Sequence, residues 1–361
     1  MNRLALLGFL VASTCKPPPP QPGQLPSATD DCHAIEASNL EAVVECFYRA
    51  QDARAQYRLF STAAKAELPE SEWVASMNPA TQAVSDVRVT QRETIQGSAY
   101  AAVSRVRRHV LVDGGLSCSD TSTRTWIREG NGWRMHGGFD RIAEVAAKKF
   151  DSGDYSGAAE ASEEWLRVDP FSVDAYDKLG FAVLRGARGK AAADIVRAAL
   201  AIDASNSKAL LLAVSLSTDP DVAESYLKRF RPDDCVLPTA VANVAASFVV
   251  DAGRPKEALA LIDRYATTDR DGRFALIRIR ALNVLRRQKE AAALLTKAAA
   301  QDIRRHLDTQ DPSYAAEQAA AVASTLLEAE RPTAAREWVD YGLMKDPSNA
   351  NLARLLRLAR N

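Results

Sequence analysis

The spacing of apolar residues changes once along the first third of the chain. Ala42, Val43, Phe47 and Ala50 recur at helical spacing behind Asn39, a residue type that caps helix N-termini. A second amphipathic stretch runs from about Tyr57 to Leu68 and stops at Pro69, and a short helix is predicted over Glu70–Met77. From Val84 the period becomes two. Val84–Thr94, Ser98–Asp113, Thr121–Glu129 and Trp133–Gly137 alternate, with turn signals at Gly97, Gly114-Gly115 and Gly130-Asn131-Gly132. Alternation bounded by tight turns predicts antiparallel strands. Helices followed by a meander predict an α+β domain over residues 31–139.

From residue 140 to 361 the period is helical, and a pattern returns at a spacing of 34 residues. Asp154-Tyr155-Ser156-Gly157-Ala158 leads to Trp165 and Asp169-Pro170; Tyr176, Leu179-Gly180, Ala192, Ala199 and Ile202-Asp203 follow in register. Gly253-Arg254-Pro255, Gln288-Lys289-Glu290 and Arg331-Pro332-Thr333 each restart the turn and second helix. This register is similar to the tetratricopeptide repeat (TPR). Ala146, Gly180, Ala246 and Ala323 fall at its small eighth position, and Ala158, Ala192, Ala258, Ala292 and Ala335 at its twentieth. Small residues at these places let helices approach closely.

The repeats read 139–172, 173–206, 239–272, 273–306 and 316–349, with a degenerate one over 207–238 and a closing helix carrying Leu352, Leu355, Leu356 and Leu358. Arg280 stands at the eighth position of 273–306, a departure from the pattern. The resemblance implies a superhelix whose groove is lined by the second, fifth, ninth and twelfth residues of each first helix. These are Asp174, Asp177, Phe181 and Leu184, then Ala240, Asn243, Ser247 and Val250, then Phe274, Ile277, Ala281 and Val284. The Lys and Asn clamp with which some family members hold a terminal carboxylate is not found. Such a groove suits an apolar or amphipathic segment of a protein partner.

The helices-then-meander order resembles the NTF2-like (cystatin-like) superfamily, with TWIREGNGWRMHGG matching its closing strand pair. The resemblance implies helices packed into a curved sheet and, in some members, an enzyme or ligand site inside the cone. No carboxylate and tyrosine pair can be placed here: Asp86, Glu93 and Glu129 read as turn or solvated residues. Arg105, Arg107 and His109 share one strand parity; Arg88 and Arg92 share a face, as do Arg124, Trp126 and Arg128. Two readings follow: a face for an anion or acidic peptide, or a solvated sheet face. A cone filled by apolar side chains would argue against a small ligand.

The chain opens MNRLALLGFLVASTC, with Arg3 ahead of a short apolar run, Leu4–Ala12, and then Cys15. Six of the 16 prolines follow between Pro17 and Pro26, so residues 15–30 form an extended tether. The opening resembles a bacterial lipoprotein signal, which implies cleavage after residue 14, acylation of Cys15 and a cell-envelope address. It departs from the family pattern at Ala12 and Thr14, where an ordinary secretory signal would serve as well. Lys16 after the cysteine favours the outer membrane facing the periplasm, by family resemblance. Export permits disulfides, and Cys32 is expected to pair with Cys46 or Cys118.

The whole chain has 361 residues, is 47% hydrophobic and balances 46 basic against 46 acidic residues. Zero net charge argues against a generally basic nucleic-acid binder. No apolar run approaches the roughly 20 residues of a spanning helix. The four histidines (His33, His109, His136, His306) are scattered, no zinc spacing or phosphate-cradling glycine loop occurs, and no cofactor or metal is expected. The sequence therefore predicts a multidomain chain, α+β then all-α. Its expected role is a non-enzymatic, membrane-tethered scaffold that binds a protein or peptide in the envelope. A small-ligand protein using the sheet is the alternative.

Overall fold

The computed structural model describes residues 39–50, 52–76, 82–109, 118–137, 140–186, 189–217, 219–265 and 272–359. The expected signal peptide, the proline tether, Cys15 and Cys32 lie outside the described residues.

Four short helices come first: α1 (Leu40–Arg49), α2 (Ala53–Arg58), α3 (Thr62–Glu67) and α4 (Glu70–Ser76). Asn39 caps α1, its side chain accepting from the Ala42 amide. The stretch read as one helix over 57–68 is broken between α2 and α3. Ser61 N donates to Met135 O and Met135 N to Leu59 O, so these backbone groups pair with a strand instead of continuing a helix. The break also places Phe60 in the core.

The sheet is an antiparallel meander, β1 (Gln82–Ile95), β2 (Ser98–His109), β3 (Cys118–Glu129) and β4 (Gly132–His136), in that spatial order. Gln96 and Gly97, both with positive φ, form the two-residue turn between β1 and β2. Asp86, also with positive φ, marks an irregularity in the β1–β2 register. One sheet face packs on α1 to α3 through Leu40, Val43, Phe47, Phe60, Trp126 and Met135. The Phe47 and Trp126 rings meet edge to face at 5.5 Å.

Thirteen of the fourteen later helices form antiparallel pairs or extend them. The pairs are α5 (Asp140–Asp151) with α6 (Tyr155–Val168), α7 (Val173–Arg185) with α8 (Gly189–Ile202), and α9 (Ser207–Leu216) with α10 (Pro220–Leu227). They continue with α11 (Leu237–Val250) and α12 (Pro255–Tyr265), α13 (Arg273–Val284) and α14 (Gln288–Ala293), α15 (Lys297–Asp308), and α16 (Pro312–Glu328) with α17 (Pro332–Lys345). The last helix is α18 (Ala350–Leu358). Asp154, Ser172, Asn206 and Asp311 each cap the following helix with a side-chain oxygen. The five alanines at the twentieth position are all buried. A Cβ on Gly180 would lie 2.6 Å from Leu212 of the next pair, which is why that place is small. Leu352 and Leu355 of α18 seal the final pair, while Leu358 stays in solvent.

The repeat read over 273–306 departs from the others. Its second helix splits into α14, only six residues long, and α15, which Thr296 caps anew by accepting from the Ala299 amide. Gly272 has φ +76° and its missing Cβ would sit 2.5 Å from the Ile303 backbone, so α15 returns tightly against the start of α13.

The second sheet face is buried as well. Ala102, Ile95 and Tyr100 pack against Phe171, Val173, Ile202 and Ala209, at the loops between successive pairs. The aspartates ending three units all take part in this seam. Asp169 accepts from Thr125 Oγ1, Asp203 from Arg88 Nη2 at 3.3 Å, and Asp234 from Ser207 Oγ, which itself accepts from the Thr121 amide at 3.1 Å. His136 Nε2 donates to the Val168 carbonyl, a tautomer that leaves Nδ1 to accept from Ser61 Oγ at 2.9 Å. Burial holds this imidazole below its usual range.

Cys118 is bonded to Cys235, across the same seam. This corrects the expected Cys32–Cys118 pair: the sheet packs on the loop before α11, which brings together residues 117 apart in sequence. Cys46 is disulfide-bonded too, while the Cys32 of the Cys32–Cys46 alternative lies outside the described residues.

Candidate functional site

The first helices of the pairs carry the residues expected in the groove. Three at the twelfth position stand in solvent: Leu184 of α7 (37% exposed), Val250 of α11 (56%) and Val284 of α13 (53%). Single exposed apolar residues are ordinary, but here exposure recurs at one register on three first helices. Earlier positions on the same helices line two cavities.

The first cavity, of about 610 Å³, lies where α5 and α7 meet the sheet. Asp174, Asp177 and Lys178 face Thr123, Arg124, Glu144 and Asp169 across it. Lys208 Nζ pairs with Asp174. Burial pushes Asp177 up to about 6, against the pull of Lys208. Burial also pushes Asp169 up to about 7, although the Thr125 hydroxyl and Arg124 favour its charged form. Four carboxylates therefore meet three cations, Arg124, Lys178 and Lys208, in this cavity.

The second cavity, of about 740 Å³, is walled by α11, α13, the end of α15 and the start of α16. Asn243 and Ile277 line it, as do Arg273, Arg280, Arg305, His306, Tyr314 and Gln318. No Asp or Glu is among its described lining residues. Arg273 Nη1 donates to Thr239 Oγ1 at 3.1 Å, and Arg305 pairs with Asp302 one turn before it. This end of the groove is basic.

The structure thus brings Asp174 and Asp177 to one cavity and Asn243 and Ile277 to the other. Phe181 is half-buried and packs with Val196 and Leu212. Phe274 belongs to the core, and Ser247 is half-buried. The arginines of the basic cavity were not picked out from the sequence as groove residues. The signal was Arg280 itself, standing where the other repeats carry Gly or Ala. The split second helix leaves space there and brings Arg305 and His306 to the wall.

The basic sheet face is corrected. Trp126 is fully buried in the core under α1. Arg105 lies beneath the Tyr48 ring at 5.0 Å, and burial pushes its guanidinium down to about 10. Arg107 is paired with Asp120 at 3.0 Å. Arg124 lines the first cavity and Arg128 is exposed, so the set does not gather as one surface. The His109 side chain lies outside the described part of the structure. The physical reason is that helices cover one sheet face and the repeats the other, leaving the polar parity partly inside. Apolar side chains fill most of the space under α1 to α3, and a cavity of about 400 Å³ remains between α1 and β1.

No protein-family model matches the chain. No curated protein matches it. Among solved structures it is similar to the APC/C hetero-tetramer Cut9–Hcn1 at 13% identity and a TM-score of 0.42, over 62% of this chain and 46% of that one. The chain therefore spans just under half of that protein. It is similar to Pseudomonas aeruginosa pilF at 17% identity and a TM-score of 0.43, over 60% of this chain and 96% of that one. It is also similar to YrrB, described as a TPR protein with an unusual peptide-binding site, at 17% identity and a TM-score of 0.37, over 55% of this chain and all of that one. The chain is a stack of antiparallel helix pairs, similar to TPR proteins of solved structure, joined to a four-stranded antiparallel sheet.

Proposed function

We propose that the chain is a membrane-tethered envelope lipoprotein that binds a protein partner along the inner face of its repeats. The observation that carries this is the set of exposed apolar residues Leu184, Val250 and Val284 on the helices whose earlier turns line two polar cavities, one of mixed charge and one basic. Apolar residues with polar flanks are the surface an amphipathic segment covers. The N-terminal pattern around Cys15 supports the tether, and a tether raises the effective concentration at the membrane, so a modest groove affinity suffices. The preceding α+β unit acts as an NTF2-like scaffold that holds the repeats. A small-ligand role for it would fall to the cavity of about 400 Å³ between α1 and β1, lined by Val44, Tyr48, Val87 and Val89 with Glu41, Glu45 and Arg88.

Two measurements test this. Mass spectrometry of the N-terminal peptide, with Cys15→Ala alongside, reads the anchor: a diacyl or triacyl cysteine is expected, and an unmodified soluble protein removes the tether. A photo-crosslinker at Asn243, compared with one at exposed Lys256 on α12, reads the groove. A discrete adduct from Asn243 alone is expected, and equal labelling from both sites removes the groove as the binding face.

A further inference from the structure

The cavity where the sheet meets α5 and α7 is walled by both units: Arg124 comes from β3, Trp165 from α6 and Asp177 from α7. Most of its charged groups are already engaged. Asp174 pairs with Lys208, Glu144 with Lys148, Asp169 accepts from Thr125, and Lys178 lies over the Phe150 ring at 5.8 Å. Three groups have no such partner among the described residues. The Trp165 indole Nε1–H is buried and donates to nothing. Asp177 makes no hydrogen bond or ion pair, although burial penalises its charge and pushes it up to about 6. Arg124 is half-buried and forms no ion pair either, its charge serving only to favour the ionised form of Asp169 nearby.

The needs of these three groups are complementary. A buried N–H requires an acceptor, a guanidinium takes an anion and a carboxylate takes a cation. Arg124 and Asp177 line the same cavity without pairing with each other, so a molecule between them can meet both. An inorganic ion carries one sign only and answers part of the set. A small zwitterion answers all of it. The volume of about 610 Å³ is in the range of small-molecule sites. Ala143 and Ala147, with the Trp165 ring, give the same cavity an apolar stretch of wall.

We propose that this seam cavity binds a free α-amino acid, its ammonium on the Asp177 carboxylate, its carboxylate between Arg124 and the Trp165 Nε1–H, and an apolar side chain against Ala143, Ala147 and the Trp165 ring. The site is shared between sheet and helix pairs, because the guanidinium comes from one unit and the carboxylate and indole from the other. It goes beyond the protein-binding role and does not rest on it: crosslinking from Asn243 reads the other cavity.

Isothermal titration calorimetry of the full chain with each protein amino acid in turn tests this. Saturable binding of at least one with an apolar or aromatic side chain is expected. Two analogues of that amino acid follow, the amine lacking its carboxylate and the N-acetyl derivative lacking its ammonium. Each is expected to bind the parent chain at least about tenfold more weakly. Asp177→Asn, Arg124→Gln and Trp165→Phe, each checked for an unchanged helical signal, are expected to weaken binding about three- to tenfold. Binding of no amino acid would overturn the proposal. Equal affinity for the amine would reassign the cavity to organic cations, and equal affinity for the N-acetyl derivative to anions, and either result overturns it. Affinity unchanged in all three variants would place the amino acid elsewhere on the molecule and overturn it too. The analogues are read on the parent chain, so a variant that fails to fold leaves the outcome decided.

Discussion

Thr125 Oγ1 donates to the Asp169 carboxylate across the seam between sheet and repeats. The carboxyl is buried, and burial pushes it up to about 7 from a reference of 3.8. In the window between these values the folded chain keeps the proton that the unfolded chain releases. This group's contribution to stability is then full at low pH and is lost by about 1.4 kcal/mol per pH unit as pH rises through the window, the loss being complete above about 7. Asn at 169 keeps an acceptor for Thr125 and carries no charge. Asp169→Asn is expected to flatten this slope and to be more stable than the parent at about pH 8 by roughly 1–4 kcal/mol. Urea midpoints at about pH 5 and about pH 8 check it. An equal slope in both proteins would assign the dependence elsewhere.

The Cys118–Cys235 bond closes a long loop, with 117 residues of separation. In the chain-entropy view such a bond constrains the unfolded state by several kcal/mol. The double change Cys118→Ala and Cys235→Ala is expected to lower stability by about 2–5 kcal/mol. Guanidinium unfolding with and without reductant measures it: the parent should lose stability on reduction and the double variant should not respond at this bond.

Gly272, the N-cap of α13, is where the α15 backbone approaches most tightly. Ala at 272 would meet the Ile303 backbone and adopt an unfavourable positive φ at the same time. Gly272→Ala is expected to destabilise by about 2–4 kcal/mol. Gly180→Ala meets only the flexible end of Leu212, so a smaller loss of about 1–3 kcal/mol is expected. Thermal unfolding of the two variants side by side gives the order, and the reverse order would contradict this account of α15.

The exposed apolar residues separate stability from binding. Leu184, Val250 and Val284 are exposed, so Asp at each is expected to change stability by no more than about 0.5 kcal/mol. The triple change is expected to abolish crosslinking from Asn243 while leaving the melting profile near that of the parent. Undiminished crosslinking would show that these residues are not the contact.

Much of the fold was legible because local chemistry and tertiary packing agree. Asn39 caps α1 as read, the strand alternation locates β1 to β4 within a few residues, and the small residues at the twentieth position are the buried contacts of the helix pairs. Alternation, however, reports which residues share a face and not what covers it. Arg105 and Trp126 were correctly placed on one parity, yet the helices that bury them come from elsewhere in the chain. The break at Leu59–Ser61 and the return of α15 were hidden for the same reason: each is set by a distant backbone, Met135 in one case and Ile303 against Gly272 in the other. The candidate groove was half legible. A periodic register finds positions that repeat, and the basic cavity arises where the repeat fails.

The bond between β3 and the loop before α11 also fixes how the molecule would carry a load. Tension applied between the N-terminal helices and the C-terminal pairs enters the sheet, crosses from Cys118 to Cys235 and leaves through α11. The intervening helices α5 to α10 are bypassed by this covalent shunt. Under strain they remain an unloaded side branch, while extension falls on the segments outside residues 118–235.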